Sequence, residues 1–398
     1  MAIRSFRYRF YPNKDQEVLL RKTFGCVRLV YNKALYERNE AWISARKSVK
    51  YTEQDKNLTA WKRTEELSFL NEVSCVPLQQ ALRHLQVAFN KFFKKLVGYP
   101  CFKKKHNGGS ATFTRGAFKI IGEKLKLAKM AEHLDIRWSR PLPEGISPST
   151  VTVTLDASNR WHIAIQLDDT NVKDLEINDE AIGIDLGIEK LATISTGEKI
   201  RNLRLLSKES KNEKKLARSL SRKKKGSNNR KKARLKLARF YAKIADRRND
   251  YIHKLSTRLV RENQVIVVEN LNIRGMMKNR SLAKAINDAG WSTLVPFLRY
   301  KCKWYGRFFI RIDRFYPSSK TCSNCGHVLR KLSLSVREWV CPKCNSEHDR
   351  DINAARNILA AGHAVTACGP DVRQCILRNV VQLGMKQELM AVRPGTVD

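Results

Sequence analysis

Four of the ten cysteines stand as Cys322-Ser-Asn-Cys325 and, after fifteen intervening residues, Cys341-Pro-Lys-Cys344. Paired C-x2-C knuckles at this separation converge four thiolates tetrahedrally on one Zn²⁺. A set closed by four sulfurs leaves no open coordination position, so the ion is expected to be structural. His327 and His348 lie nearby, but no vacancy requires them. The cysteines at 26, 75, 101, 302, 368 and 375 show no such spacing and read as ordinary, partly buried thiols. The metal spacing points to a reducing cytosol.

The 398 residues include 77 Lys and Arg against 38 Asp and Glu, a net charge of +39. That excess exceeds any need for solubility and points to a polyanionic partner, most commonly nucleic acid. No stretch approaches the roughly 18 apolar residues of a membrane span, and the N-terminus has no apolar signal core. A 42 % hydrophobic content excludes global disorder. Ile3, Phe6, Tyr8 and Phe10 interleave with Arg4, Arg7 and Arg9, which predicts a strand with an aromatic and a basic face, stopped by Pro12. Asn13 and Gln16 are spaced as a capping box. Leu20, Phe24, Val27, Tyr31 and Leu35 continue at helical spacing, and helices are expected to about residue 97.

Residues 101–172 read as short strands, at Ala117–Ile121, Leu134–Trp138, Val151–Leu155 and Trp161–Leu167, consistent with a β-barrel. From about residue 178 the pattern becomes α/β. Ala181–Ile188 reads as a strand, followed by a hairpin around Thr196-Gly197. Residues 201–250 carry 20 Lys and Arg against 4 Asp and Glu and read as a basic helical hairpin turning at Gly226-Ser227-Asn228-Asn229. Val265–Val268 and Phe308–Ile312 read as strands and Leu282–Trp304 as one helix. From about Gly362 the chain reads as a poorly packed tail.

Three carboxylates stand out. Asp185 interrupts an apolar strand, where a charge is costly unless it binds something. Glu269 follows the strand Val265–Val268, and Asp351 opens a helical segment. Singly, they read as a paired core acid, a solvated strand end and a helix-dipole partner. Together they fit a site holding two Mg²⁺ ions about 3.5–4 Å apart, one activating water and the other stabilising the leaving oxygen at a scissile phosphate. Hard oxygen ligands suit Mg²⁺ or Mn²⁺.

Gly183-Ile184-Asp185-Leu186-Gly187, Val268-Glu269-Asn270-Leu271, the four-cysteine ribbon and Asp349-Arg350-Asp351-Ile352-Asn353-Ala354-Ala355 occur in this order. With Phe10-Tyr11-Pro12-Asn13 and Gly98-Tyr99-Pro100-Cys101-Phe102-Lys103, they resemble the TnpB family over about residues 3–361. TnpB proteins are RNA-guided nucleases encoded by insertion sequences, related to compact type V CRISPR effectors and Fanzor proteins. The resemblance implies an α+β multidomain fold: a wedge-type β-barrel (1–12 and 98–177) with an inserted helical recognition domain (13–97), and an RNase H-like, RuvC-type nuclease domain (178–319 and 345–361) with the zinc ribbon (320–348) inserted. Residues 362–398 would be a C-terminal tail dispensable for catalysis. It implies Asp185, Glu269 and Asp351 as the Mg²⁺-binding catalytic residues, with Asp349 capping the last helix.

The implied activity is RNA-guided, two-metal cleavage of double-stranded DNA beside a short adjacent motif. The implied partners are a guide RNA from the transposon end and target DNA, with no membrane, and a monomer on one RNA in the prokaryotic cytoplasm at the nucleoid. Lys103, Lys104, Lys105, Arg222, Lys223, Lys224, Lys225, Arg230, Lys231 and Lys232 are the candidate phosphate contacts. Phe113, Trp138 and Tyr99 are core or base-stacking residues. The competing classes are a nuclease-silent guided DNA-binding regulator or transposition accessory, and a guide-independent transposase or resolvase.

Overall fold

Pro12 and Asn13 set the first boundary. A computed structural model of the chain describes residues 2–105, 108–169, 172–333 and 335–368. Strand β1 (Ala2–Tyr11) ends at Pro12, and helix α1 (Lys14–Ala45) begins just after Asn13. Asn13 Oδ1 accepts from the Gln16 backbone N–H at 2.8 Å, and Gln16 Oε1 accepts from the Asn13 N–H at 3.1 Å, the reciprocal cap expected of this pair. β1 buries Phe6, Tyr8 and Phe10. Ile3 departs from the expected aromatic face. Strand parity places it with Arg7, 63 % exposed, while Arg4 takes the aromatic side with its guanidinium 5.1 Å from the Phe6 ring centroid.

The chain divides into two units, Met1–Val172 with Leu216–Ala242 and Lys173–Lys215 with Lys243–Asp398. In the first, α1 is followed by α2 (Tyr51–Trp61), a 3₁₀ turn (Glu65–Asn71) and α3 (Cys75–Phe93). α3 buries Leu78, Leu82, Leu85 and Phe89 in the same core as Leu20, Val27 and Leu35 of α1. Strands β2 (Gly109–Thr114), β3 (Phe118–Ile121), β4 (Lys124–Leu127), β5 (Asp135–Arg137), β6 (Pro148–Leu155) and β7 (Trp161–Asp169) follow. Five form an antiparallel sheet in the order β2-β6-β7-β1-β5, and β3-β4 is a separate hairpin. Among the described residues no pairing joins β2 to β5. β2 and β4 were not legible in sequence: Gly109-Ser-Ala-Thr-Phe-Thr and Lys-Leu-Lys-Leu are short, with only two buried positions each.

The second unit is built on β8 (Ala181–Asp185), β9 (Lys190–Ile194) and β10 (Lys199–Arg201). Next come α4 (Leu205–Lys208), α5 (Ser210–Ser221) and α6 (Asn228–Glu262), of which 216–242 belong to the first unit. Then follow β11 (Val265–Val268), α7 (Ile273–Met276), α8 (Arg280–Ala289), α9 (Trp291–Trp304) and β12 (Phe308–Arg311). β13 (Glu338–Val340), β14 (Glu347–Asp349) and α10 (Arg350–Cys368) complete it. The sheet order is β10-β9-β8-β11-β12; β8, β11 and β12 are parallel, β9 is antiparallel to β8 and β10 to β9, so β9 alone runs against the others.

Three expectations are corrected. The helix expected over 282–304 is two helices broken at Gly290, whose φ of 76° is left-handed. Strand β8 stops at Asp185, so that carboxylate lies at a strand end and not inside the strand. The tail does not start at Gly362. α10 runs through it, and a Cβ there would fall 2.4 Å from Val267 Cγ2, so the helix lies against the sheet at this point. Residues 369–398 lie outside the described residues.

Both faces of this sheet are covered. Ile182, Ile184, Ile266 and Val268 pack with Leu255, Leu259, Leu294 and Leu298, whereas Val267 packs with Ile312 and Ile358 of α10. Gly183 permits the approach of α10: a Cβ there would lie 2.1 Å from the Ala355 carbonyl oxygen and 2.7 Å from the Leu359 nitrogen. Both are backbone atoms that cannot rotate away. Gly183→Ala is therefore expected to destabilise the unit by about 3 kcal/mol, the upper end for overpacking. A thermal melt of the full chain unchanged from wild type would contradict this. Among the described residues no helix is long and apolar enough to cross a membrane.

Candidate active site and metal centre

Register and parity bring two of the acids together. Val267 pairs with Gly183 and Val268 with Ile184 on adjacent parallel strands. The next positions are Asp185 and Glu269, on the side of the sheet where Gly183 and Val267 meet α10. Asp351 lies in the first turn of α10, one turn before Ala355, whose carbonyl sits over Gly183. The acids interact electrically. Asp185 is pushed up to about 8, first by burial and then by the negative charges of Glu269 and Asp351, with Arg350 opposing. Burial also raises Glu269, opposed by a hydrogen bond from Ser318 Oγ to Glu269 Oε1 at 2.9 Å. Asp185 thus sits in a poorly hydrated corner beside two further negative charges, a cost that a divalent cation would relieve. Arg337 was not found from sequence: its Nη1 lies 3.8 Å from Asp351 Oδ1, and it also pairs with Glu189 at 3.3 Å.

Asp349 plays the part expected of it. Its Oδ1 accepts from the Asp351 and Ile352 N–H groups at 3.1 and 3.0 Å, capping α10, and its Oδ2 pairs with Lys199 at 2.5 Å. These bonds hold its carboxyl below the usual carboxylate range despite partial burial.

The cysteines meet. Their four sulfurs lie within 4.8 Å of one another, with Cys322–Cys344 and Cys325–Cys341 each at 3.6 Å. A tetrahedron of Zn–S bonds of about 2.3 Å sets sulfurs about 3.8 Å apart, so the set fits Zn²⁺. Among the described residues it is the one such metal-type group. His348 supports it from outside, with Nε2 3.0 Å from Cys322 Sγ and its ring 4.7 Å from Trp339.

The basic candidates separate. Lys105 and Lys231 line one groove of about 940 Å³ in the first unit, together with Arg21, Arg28 and Arg234, which the sequence reading did not select. Lys103 is exposed, but its Nζ rests 4.2 Å from the Tyr31 ring centroid and its backbone bonds Asn32. Lys104 is exposed near it. Arg222, Lys223, Lys224, Lys225 and Lys232 are exposed on and beside the hairpin turn. Arg230 instead turns onto the Leu220 and Lys223 carbonyls at 3.0 and 2.9 Å and ties the turn together. Of the stacking candidates, Phe113 is core and Trp138 packs on Tyr8 while bonding the Glu123 carbonyl. Tyr99 is half-exposed, with its hydroxyl on Asn39.

Family models match three stretches: one described as "Probable transposase" over 162–280, "Cas12f1-like, TNB domain" over 291–358 and "Helix-turn-helix domain" over 1–47. A Streptomyces pristinaespiralis protein named "Putative RNA-guided DNA endonuclease" is 55 % identical over 371 residues, covering 93 % of this chain and 92 % of that one. A mimivirus "TnpB-like protein L79" is 23 % identical, covering 90 % and 73 %. The chain belongs to the TnpB family. Another relative, Escherichia coli InsQ, is 32 % identical over 93 % of this chain and 95 % of its own. The TnpB fold here is similar to that in a cryo-EM structure of a Cas12f1–sgRNA–target DNA complex, with a TM-score of 0.54 at 15 % identity, covering 86 % and 82 %. Residues 1–47, matched as helix-turn-helix, fold as one strand followed by a single long helix.

Proposed function

We propose that this chain is an RNA-guided DNA endonuclease of a transposable element. Asp185, Glu269 and Asp351 would hold two Mg²⁺ or Mn²⁺ ions, and the four cysteines one structural Zn²⁺. The observation that carries the reading is the placement of Asp185 and Glu269 just past the register-matched ends of two paired parallel strands, with Asp351 in the first turn of the helix packed on Gly183. The bound cations would supply an activated water and a stabilised leaving oxygen. Asp185 and Glu269 would hold them from the sheet and Asp351 from the helix, while Asp349, spent on the cap, stays out. The five-stranded mixed sheet, in which β9 alone runs against the other four, supports an RuvC-like, RNase H-type domain over 178–319 and 345–361, with the ribbon at 320–348. Residues 1–12 and 98–177 would form the wedge barrel and 13–97 the recognition helices. The guide RNA would take one copy of the chain.

The test is to express the gene with its downstream DNA and sequence the RNA that stays bound to the purified protein. A single dominant species, supporting Mg²⁺-dependent cutting of a matched duplex, is the expected result. Heterogeneous RNA and no guided cutting would overturn the reading.

The groove of Arg21, Arg28, Lys105, Lys231 and Arg234 is the proposed phosphate track. Replacing Lys231 and Arg234 with Ala is expected to flatten the dependence of log affinity on log salt by about 1.4–1.8. An unchanged slope in filter binding across a salt series would remove these residues from the RNA contact.

A further inference from the structure

Ser318 lies in the segment leading into the zinc ribbon and is 5 % exposed. Its hydroxyl is directed at Glu269, while its carbonyl accepts from Asn357 Nδ2 at 2.8 Å. The same Asn357 amide donates to the Thr321 carbonyl at 2.6 Å. One turn earlier on α10, Asn353 Nδ2 donates to that carbonyl at 2.7 Å, and its Oδ1 accepts from the Ser323 N–H at 2.9 Å. The backbone between is folded tightly, with Thr321 donating from both its N–H and its hydroxyl to the Pro317 carbonyl. Cys322 is the next residue. Asn353 and Asn357 are 1 % and 4 % exposed, so their amides cannot exchange these partners for water without cost. Hydrogen bonds from Asn353 and Asn357 of the helix that carries Asp351 therefore hold Thr321 and Ser323, the residues on either side of the ribbon's first cysteine, and the Ser318 carbonyl, while the Ser318 hydroxyl meets a Glu269 oxygen.

We infer that Ser318 and Asn357 are positioning residues that tie Glu269 to the ribbon, so that zinc loading sets the affinity of the carboxylate trio for a divalent cation. This rests on the reading of the three acids as cation ligands. The physical reason is that Glu269 has a wide choice of rotamers at its strand end. A hydroxyl fixed by a rigid loop selects one, and the held cysteine completes the pinning that Asn353 and Asn357 begin. Outer partners of this kind set ligand orientation and cation affinity.

The experiment is Mn²⁺ binding by the full-length, nuclease-treated protein, read from the loss of the free-ion EPR signal, with zinc content measured on the same samples. Asp185→Ala supplies the background. Ser318→Ala is expected to weaken Mn²⁺ binding about 10-fold at unchanged zinc content. Ser318→Thr, which keeps the hydroxyl, should restore it, and Cys325→Ser, which loses the zinc, should weaken binding as Ser318→Ala does. Asn357→Asp keeps the shape but loses both donations and should behave likewise. If that variant fails to fold, the Ser318 pair decides. Wild-type Mn²⁺ affinity in Ser318→Ala, or in the zinc-free Cys325→Ser protein, overturns the coupling. If Asp185→Ala and Glu269→Gln both leave Mn²⁺ binding intact, the carboxylate reading itself fails. If they abolish it and Ser318→Ala does not weaken it, only the coupling fails.

Discussion

Asp185→Ala is expected to reduce cleavage of a guide-matched duplex by about 10³-fold or more while leaving RNA binding unchanged, because it removes a proposed ligand of the cations that would act at the transition state. Guided cleavage at the wild-type rate would refute the assignment. The same residue gives a pH signature. In the cation-free protein its carboxyl, pushed up to about 8, keeps a proton that the unfolded chain sheds near pH 4. Between those values the folded state binds more protons than the unfolded state, so stability falls as pH rises through the window. Mg²⁺ or Mn²⁺ competes with that proton and should remove the slope. Thermal melts from pH 5 to 8, with and without added Mg²⁺, read both effects, and Asp185→Asn should show neither.

Loss of the ribbon's zinc is expected to unfold residues 320–348. Its apolar core is small: among the described residues Cys322, Trp339 and Cys341 are its buried hydrophobic side chains, and β13 and β14 are two short strands. Structural zinc sites in small domains contribute about 10–16 kcal/mol of apparent binding free energy, which here is folding free energy. Cys325→Ser should lose zinc and become sensitive to proteolysis within 320–348, while the first unit keeps its melting behaviour. A protease-resistant ribbon without zinc would show that its fold does not depend on the metal.

Local chemistry was legible wherever its partner lies within a few residues. The Asn13–Gln16 cap, the turn at Gly197 and the four cysteines follow from spacing alone, while the capping role of Asp349 came with the family resemblance. Legibility failed where distant contacts decide the outcome. Gly290 divides an apolar helical run because its left-handed φ ends one helix and begins the next. Arg230 sits within a basic run but spends its guanidinium on two carbonyls of its own turn, whereas Arg21 and Arg28 enter the groove from outside any conspicuous cluster and Arg234 from further along the same basic run. β2 and β4 are strands because neighbours supply their ladders, β6 and β3.

The sequence by itself determined which acids were candidates, how a metal would hold the ribbon, and that a polyanionic partner is to be expected. These are properties of residue type, spacing and net charge. Only the tertiary structure decided that Asp185 and Glu269 fall side by side, since parallel pairing of strands 84 positions apart sets that register. It alone placed Asp351 over them, through the contact at Gly183, and turned Ser318 toward Glu269. Those positions depend on packing between segments distant in sequence, which no local pattern encodes.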